Sequence, residues 1–274
     1  MSILALDLDG TLLNGEKHIS ARNRVALQKA ADLGHFIVPA TGRALNAMPK
    51  EVLEQPFVRY VISINGACVS DQQTGEILYR CEIPLDAALG VLDFARRYDC
   101  MRDVYWNHTG WTNRAYFENL RYYNSDEEVV RLIQVTRNPI EDIEAFLKEK
   151  QAPVQKVQLC FRSMDERSQA WKEIEEHFPE IVVTSSFRNN LELNAKGADK
   201  GLALMYLADH LGVDRTDTFA FGDSTNDLAM LRAAGTGVVM GNAADRIKEN
   251  ADAVTDTNEN DGVAKFIEEN ILEV

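Results

Sequence analysis

Short apolar runs alternate with amphipathic stretches at both ends of the chain. ILALDL is followed by SARNRVALQKAADLG, then FIVPAT and YVISIN. Runs of this kind, split by a helical period, predict strand, helix, strand units, with Ser20 as the helix N-cap and Gly34 as its stop. The last third has the same alternation, in which DKGLALMYLADHLG, NDLAMLRAA and AADRIKEN predict helices, and DTFAFG, TGVVMG and DAVTD predict strands. The order implies an α/β fold, a Rossmann-like parallel sheet with helices on both faces, to which both ends of the chain contribute.

Between these ends the texture changes. ACVSDQQTGEILYRCEI predicts a hairpin with a polar Thr-Gly turn, PLDAALGVLDFARRY a helix, and VQKVQLCF and IVVTSS further strands in an α+β order. The 274 residues exceed the usual single-domain size of about 100 to 200. A core of residues 1–83 and 189–274 with an inserted α+β domain of residues 84–188 accounts for both facts.

Charge narrows the choice of partners. Twenty-nine Lys and Arg against 43 Asp and Glu leave −14, and no basic cluster offsets it, which argues against nucleic acid. An anionic substrate would therefore need local cations, backbone N–H groups or a metal. No run approaches the ~18 apolar residues of a membrane span, and MSILALDLDG lacks the marks of a signal peptide, so no membrane partner and a cytoplasmic location are expected. Cys68, Cys81, Cys100 and Cys160 form no CxxC pair; Cys68 and Cys81 flank the hairpin and could face each other, but reduced thiols are expected.

Four clusters carry candidate chemistry. In LALDLDGTLL, Asp7 and Asp9 at i and i+2 would share one face of a strand end, about 7 Å apart along the backbone. As a lone DxD this reads as two solvated acids, yet ligands of open α/β sheets bind beyond the carboxyl ends of such buried strands. An EF-hand count fails, because Leu12 and His18 stand where glycine and glutamate are needed, and the glycines of GTGVVMG precede a strand instead of opening a helix. FAFGDSTNDLAML brings Asp223, Asn226 and Asp227 to a second strand end, and so many carboxylates without His or Cys favour Mg²⁺. PATGR supplies Thr41, Gly42 and Arg43, a possible phosphate cradle at a turn. Lys200 opens a helix, where an anion is favoured and a lysine is not.

Together, in this order, DLDGT, Thr41, Lys200 and GDSTND resemble the haloacid dehalogenase (HAD) superfamily of phosphatases. ATGR, ISINGA, DKG, GDSTNDLAML and VVMGNA, with the large insert, resemble its Cof-type branch. The resemblance implies that Asp7 is the nucleophile and Asp9 the general acid and base. It implies Mg²⁺ held by the carboxylates of Asp7 and Asp223 and the backbone carbonyl of Asp9, with Asp227 supporting. Thr41, the backbone of Leu8 and Gly42, Lys200 and Asn226 would hold the phosphoryl oxygens. Arg43 suits a place beside the phosphate loop and equally a salt bridge to a nearby acid. Pro39 departs from expectation inside a predicted strand, where it removes a ladder donor.

The resemblance makes the insert a cap that closes over the site. Trp106, His108, Trp111 and Arg114 could contact substrate there, but aromatics at strand spacing read first as core. The expected function is hydrolysis of small phosphorylated metabolites, sugar phosphates foremost, by a cytoplasmic monomer or small homo-oligomer. A sugar phosphomutase on the same core is the alternative, and a non-catalytic binding protein the rival of another class.

Overall fold

The computed structural model describes residues 1–272. The chain divides into two compact units, one of Met1–Arg43, Met48–Arg80 and the chain from Asp199 onward, the other of Ala44–Ala47 and Cys81–Ala198.

The first unit is built on five parallel strands in the order Ala253–Val254, Thr236–Val239, Thr218–Gly222, Ile3–Leu6, Phe36–Pro39. Ile3, Ala5, Val38, Ala220 and Val239 face the helices Lys200–Leu211 and Leu228–Ala233 through Leu204, Leu207 and Met230. Phe219 and Phe221 turn the other way, with ring centroids 6.4 and 5.4 Å from Phe266 of the helix Gly262–Asn270. Burial of both faces is why these strands read as continuous apolar runs. The first helix is Ala21–Asp32, capped by the Ser20 side chain, which accepts from the Asn23 N–H, and followed by Gly34 at φ 90°.

Pro39 ends its strand without breaking the pairing with Ile3–Leu6. The N–H groups of Phe36 and Ala40 donate to that neighbour, so position 39 faces the opposite edge. There the chain meets Val58 and Ile62, the latter in the strand Tyr60–Ser63, only through isolated bridges, and Thr41 N–H donates to Ile62 at 2.9 Å. Proline thus removes a donor on the loosely paired side. Tyr60–Ser63 belongs to a three-stranded antiparallel sheet with the hairpin Cys68–Asp71 and Ile77–Arg80, in which Cys68 stands opposite Arg80; Cys100 and Cys160 are buried thiols.

The second unit holds a six-stranded sheet in the order Ile181–Thr184, Asn190–Ala195, Lys156–Phe161, Cys100–Trp106, Thr109–Asn113, Arg137–Ile140. The sequence assigns residues 189–198 to the core, whereas Asn190–Ala195 pairs antiparallel with both Ile181–Thr184 and Lys156–Phe161. Its alternate Leu191, Leu193 and Ala195 complete this unit's apolar face, so the unit runs on to Ala198. Trp106 and Trp111 pack on Phe146, with centroids 5.5 and 4.7 Å away, and Arg114 pairs with Glu141. Among the described residues no helix is long and apolar enough to cross a membrane.

One close approach seats the helix that begins at Lys200. Gly66 sits at φ 93°, and a Cβ on it would lie 2.1 Å from the Asp199 carbonyl oxygen. Gly34 has a similar φ with open space around it. Urea unfolding of Gly66→Ala should show a loss at least about 1 kcal/mol larger than that of Gly34→Ala, since both bear left-handed strain and only the first meets backbone. Equal losses would show that Gly66 is not needed to admit this helix.

Candidate active site

Register brings three chain ends to one edge. Leu6 stands beside both Pro39 and Phe221, so the chain leaves neighbouring strands at Asp7, Ala40 and Gly222. Asp7 N–H still donates to Phe221 at 3.0 Å, but the strand has ended at Leu6 and residues 7–13 turn. Thr11 and Leu13 N–H donate to Leu8, and Leu12 N–H to Asp7. The expectation that Asp7 and Asp9 share a strand face therefore fails: the turn sends the two carboxylates to different partners.

Asp7 turns to Lys200. The Lys200 ammonium, fully buried, donates to Asp7 Oδ1 at 2.5 Å and to Asp227 Oδ1 at 2.6 Å. The other oxygen of Asp227 accepts from the N–H groups of Asp223 and Ser224 at 3.1 and 3.0 Å, closing a capping box with Ser224. Asp223 Oδ1 accepts from the Thr11 hydroxyl at 3.0 Å, and its Oδ2 from Ser224 at 3.2 Å. One lysine thus stands among three carboxylates. Burial, then the Asp227 charge, pushes Asp7 up to about 8 against the pull of Lys200, and burial and Asp227 raise Asp223 as well.

Oxygens of Asp7, Asp223 and Asp227 lie within 4.8 Å of one another, with no His or Cys in the group. Hard oxygen donors and surplus negative charge suit a Mg²⁺-like cation. Asp227 is fully buried and has both oxygens engaged, which suits it to support; Asp223, partly exposed, is the more open of the two to a cation.

Asp9 has cations of its own. Arg43 grips both its oxygens, Nε to Oδ2 and Nη2 to Oδ1, each at 2.8 Å, and Lys17 Nζ reaches Oδ1 at 2.9 Å. Partial burial would raise this carboxyl, but the hydrogen bonds and charges of Arg43 and Lys17 outweigh it and hold Asp9 at about 2. Of the two roles open to Arg43 in the sequence, the structure contains the salt bridge.

Thr41 is buried beyond the end of the edge strand, its Oγ1 accepting from the Arg43 N–H at 3.2 Å. A Cβ on Gly42 would lie 2.7 Å from Asn65 Oδ1, and that same oxygen accepts from Asn226 Nδ2 at 3.2 Å. Asn65 N–H donates to the Thr41 carbonyl at 3.0 Å, so Thr41 is linked to Asn226 through Asn65, with Gly42 close against the same side chain. ISINGA contains Asn65 and VVMGNA contains Asn242, and neither motif by itself gives its asparagine a task. Asn242 donates from Nδ2 to the Gly10 carbonyl at 2.8 Å and so ties down the DLDGT turn. Lys17 and Thr11 escape sequence reasoning as well; their one signal is proximity along the chain to Asp9.

A parallel sheet whose adjoining strands end on acids, a Thr-Gly turn and a helix-opening buried lysine is the frame of an α/β phosphoryl-transfer enzyme. The model of the haloacid dehalogenase-like hydrolases matches residues 4–267, and the chain belongs to that family, in its Cof-type branch. It is 33% identical over 283 residues to the Bacillus subtilis (strain 168) phosphatase YwpJ, covering 97% of this chain and 99% of that one. To the 5-amino-6-(5-phospho-D-ribitylamino)uracil phosphatase YwtE of the same organism it is 33% identical, covering 98% of each. A solved haloacid dehalogenase-like hydrolase from Bacteroides thetaiotaomicron superposes with a TM-score of 0.82 at 30% identity over 98% of both chains. The protein is a phosphoric monoester hydrolase.

The acid cluster has a thermodynamic signature. With Asp7 raised from 3.8 to about 8 in the folded, metal-free protein, its contribution to stability is complete at low pH and is lost as pH climbs toward 8. Asn at this position does not titrate. In EDTA, the Tm of Asp7→Asn relative to the unchanged protein should therefore rise between about pH 5 and pH 8. A difference independent of pH would mean that Asp7 is ionised throughout.

Proposed function

We propose that the protein is a Mg²⁺-dependent phosphatase of small phosphorylated metabolites, sugar phosphates foremost, working through an aspartyl-phosphate on Asp7. The observation that carries this reading is the buried Lys200 ammonium bonded to Asp7 Oδ1 at the carboxyl end of the strand Ile3–Leu6, beside Asp223 and Asp227. That the Bacillus relative YwtE is named for a compound phosphorylated on a ribityl chain supports a polyol-like alcohol.

In the first step an oxygen of Asp7 bonds to phosphorus as the ester P–O bond breaks, and Asp9 gives its proton to the departing alcohol oxygen. In the second, Asp9 takes a proton from water, the water oxygen bonds to phosphorus, and the P–O bond to Asp7 breaks, releasing inorganic phosphate. Paired with Arg43 and Lys17, Asp9 is held ionised, the form required of the base in the second step. To act as acid it leaves these partners and carries to the leaving oxygen the proton it took from water in the preceding turnover, or from solvent in the first.

Lys200, the Thr41 hydroxyl, Asn226 and the N–H groups of Leu8 and Gly42 hold the phosphoryl oxygens. Mg²⁺ would be held by the Asp7 and Asp223 carboxylates and the Asp9 carbonyl, with Asp227 supporting. When bound it supplies the positive charge that lets a carboxylate approach a phosphate. The proposal includes a cytoplasmic monomer or small homo-oligomer, with the inserted unit, Cys81–Ala198, as the substrate-specificity cap.

The assay is inorganic phosphate released from single sugar phosphates. Turnover should need millimolar Mg²⁺, stop with EDTA and return on adding metal back. Asp7→Asn should lower kcat by at least about 10³-fold, and Asp9→Asn by about 10²- to 10⁴-fold, the usual worth of a positioned acid or base. Near-full activity of Asp7→Asn would refute the nucleophile, and substrate isomerisation without phosphate release would identify a mutase.

A further inference from the structure

The turn Asn14–His18 is built to aim one side chain. Asn14 Oδ1 accepts from the N–H groups of Glu16 and His18 at 3.1 and 2.9 Å, and the Asn14 carbonyl accepts from Lys17 N–H at 2.9 Å. Gly15 N–H donates to Glu259 at 2.6 Å, anchoring the turn to a distant part of the chain. These bonds hold Lys17 at φ 65°, a left-handed conformation that residues with side chains seldom adopt and that tends to mark functional sites. The result is a side chain, 57% exposed, whose ammonium is set 2.9 Å from Asp9 Oδ1.

Orienting Asp9 does not require it. Arg43 already grips both Asp9 oxygens in bidentate fashion, the geometry that fixes a carboxylate. A second cation on the same acid, in a chain of charge −14 and at the cost of a left-handed lysine, calls for another task. On the mechanism above, Asp9 meets the leaving oxygen, so the alcohol part of the substrate comes within a hydrogen bond of Asp9 and hence beside Lys17.

We propose that Lys17, backed by Arg43, is a specificity-determining residue that reads a second anionic group, carboxylate or phosphate, on the alcohol part of the substrate. The preferred substrates are then phosphate monoesters carrying that extra charge. This rests on the phosphatase reading, since the role of Asp9 is what brings the alcohol to Lys17.

The test compares kcat/KM for glucose 6-phosphate, 6-phosphogluconate and fructose 1,6-bisphosphate. The protein should favour at least one of the two more highly charged compounds, and which one tells carboxylate from phosphate. Lys17→Met should reduce that preference about fivefold, the scale of an exposed ion pair, and Lys17→Arg should restore it. Raising the salt should shrink the preference in the same direction. An unchanged ratio, whether because all three rates hold or because all three fall together, overturns the proposal, the second case leaving Lys17 as a support for Asp9. Calorimetric binding of the same compounds to the Mg²⁺-loaded Asp7→Asn protein, with and without Lys17→Met, reads the ratio without turnover. Absence of phosphate release from the unchanged protein then sinks the phosphatase reading, and an unaltered affinity ratio sinks this one.

Discussion

The site depends on a single buried ammonium. A lysine removed from water is strongly disfavoured unless its charge is matched, and Lys200 is matched twice, by Asp7 and Asp227. The pairing works in both directions. Lys200 keeps two carboxylates in place at the end of a parallel sheet, and they hold the ammonium in its charged form, with its pKa raised above the ordinary lysine value despite burial. Its seat at the first turn of Lys200–Leu211 depends on Gly66, where no side chain would fit against Asp199. The charge left over on Asp7, Asp223 and Asp227 is what makes the edge fit a divalent cation.

Asp9 solves the same electrostatic problem separately. Two acids one residue apart on a strand would repel, and the DLDGT turn relieves this by sending Asp9 to Arg43 and Lys17 while Asp7 goes to Lys200. The two acids therefore have distinct cations, and their pKa values are pushed apart, about 8 against about 2 in the metal-free chain. A chain acidic overall thus gathers a few cations at this sheet edge.

Much of this is legible in the sequence because strand ends and helix caps are local. Ser20 and Gly34 bound the first helix as their residue types suggest, and Asp7 and Asp223 follow, and Lys200 opens, elements whose apolar patterns are unambiguous. What is not legible depends on backbone turns and long-range contact. That the strand stops at Leu6, so that Asp7 and Asp9 diverge, follows from hydrogen bonds within residues 7–13. The hydrogen bond from Asn226 to Asn65, beside Gly42, joins residues 161 apart. In the second unit, Lys156 reads as an ordinary strand residue and Arg137 has no reading at all, yet both are buried and paired with Glu192 and Asp103, with the Tyr105 ring near both cations. Alternation identifies the apolar face of that sheet and says nothing of the ion pairs on the other.

The central claim is that Asp7 itself becomes phosphorylated. Rapid acid quench during turnover with Mg²⁺ and a sugar phosphate, followed by borohydride reduction and peptide mass spectrometry, tests it directly, because reduction of an acyl phosphate converts the aspartate to homoserine. Homoserine is expected at position 7, dependent on substrate and absent from Asp9, Asp223 and Asp227. Steady phosphate release with position 7 unmodified, or with the label on another acid, would contradict it.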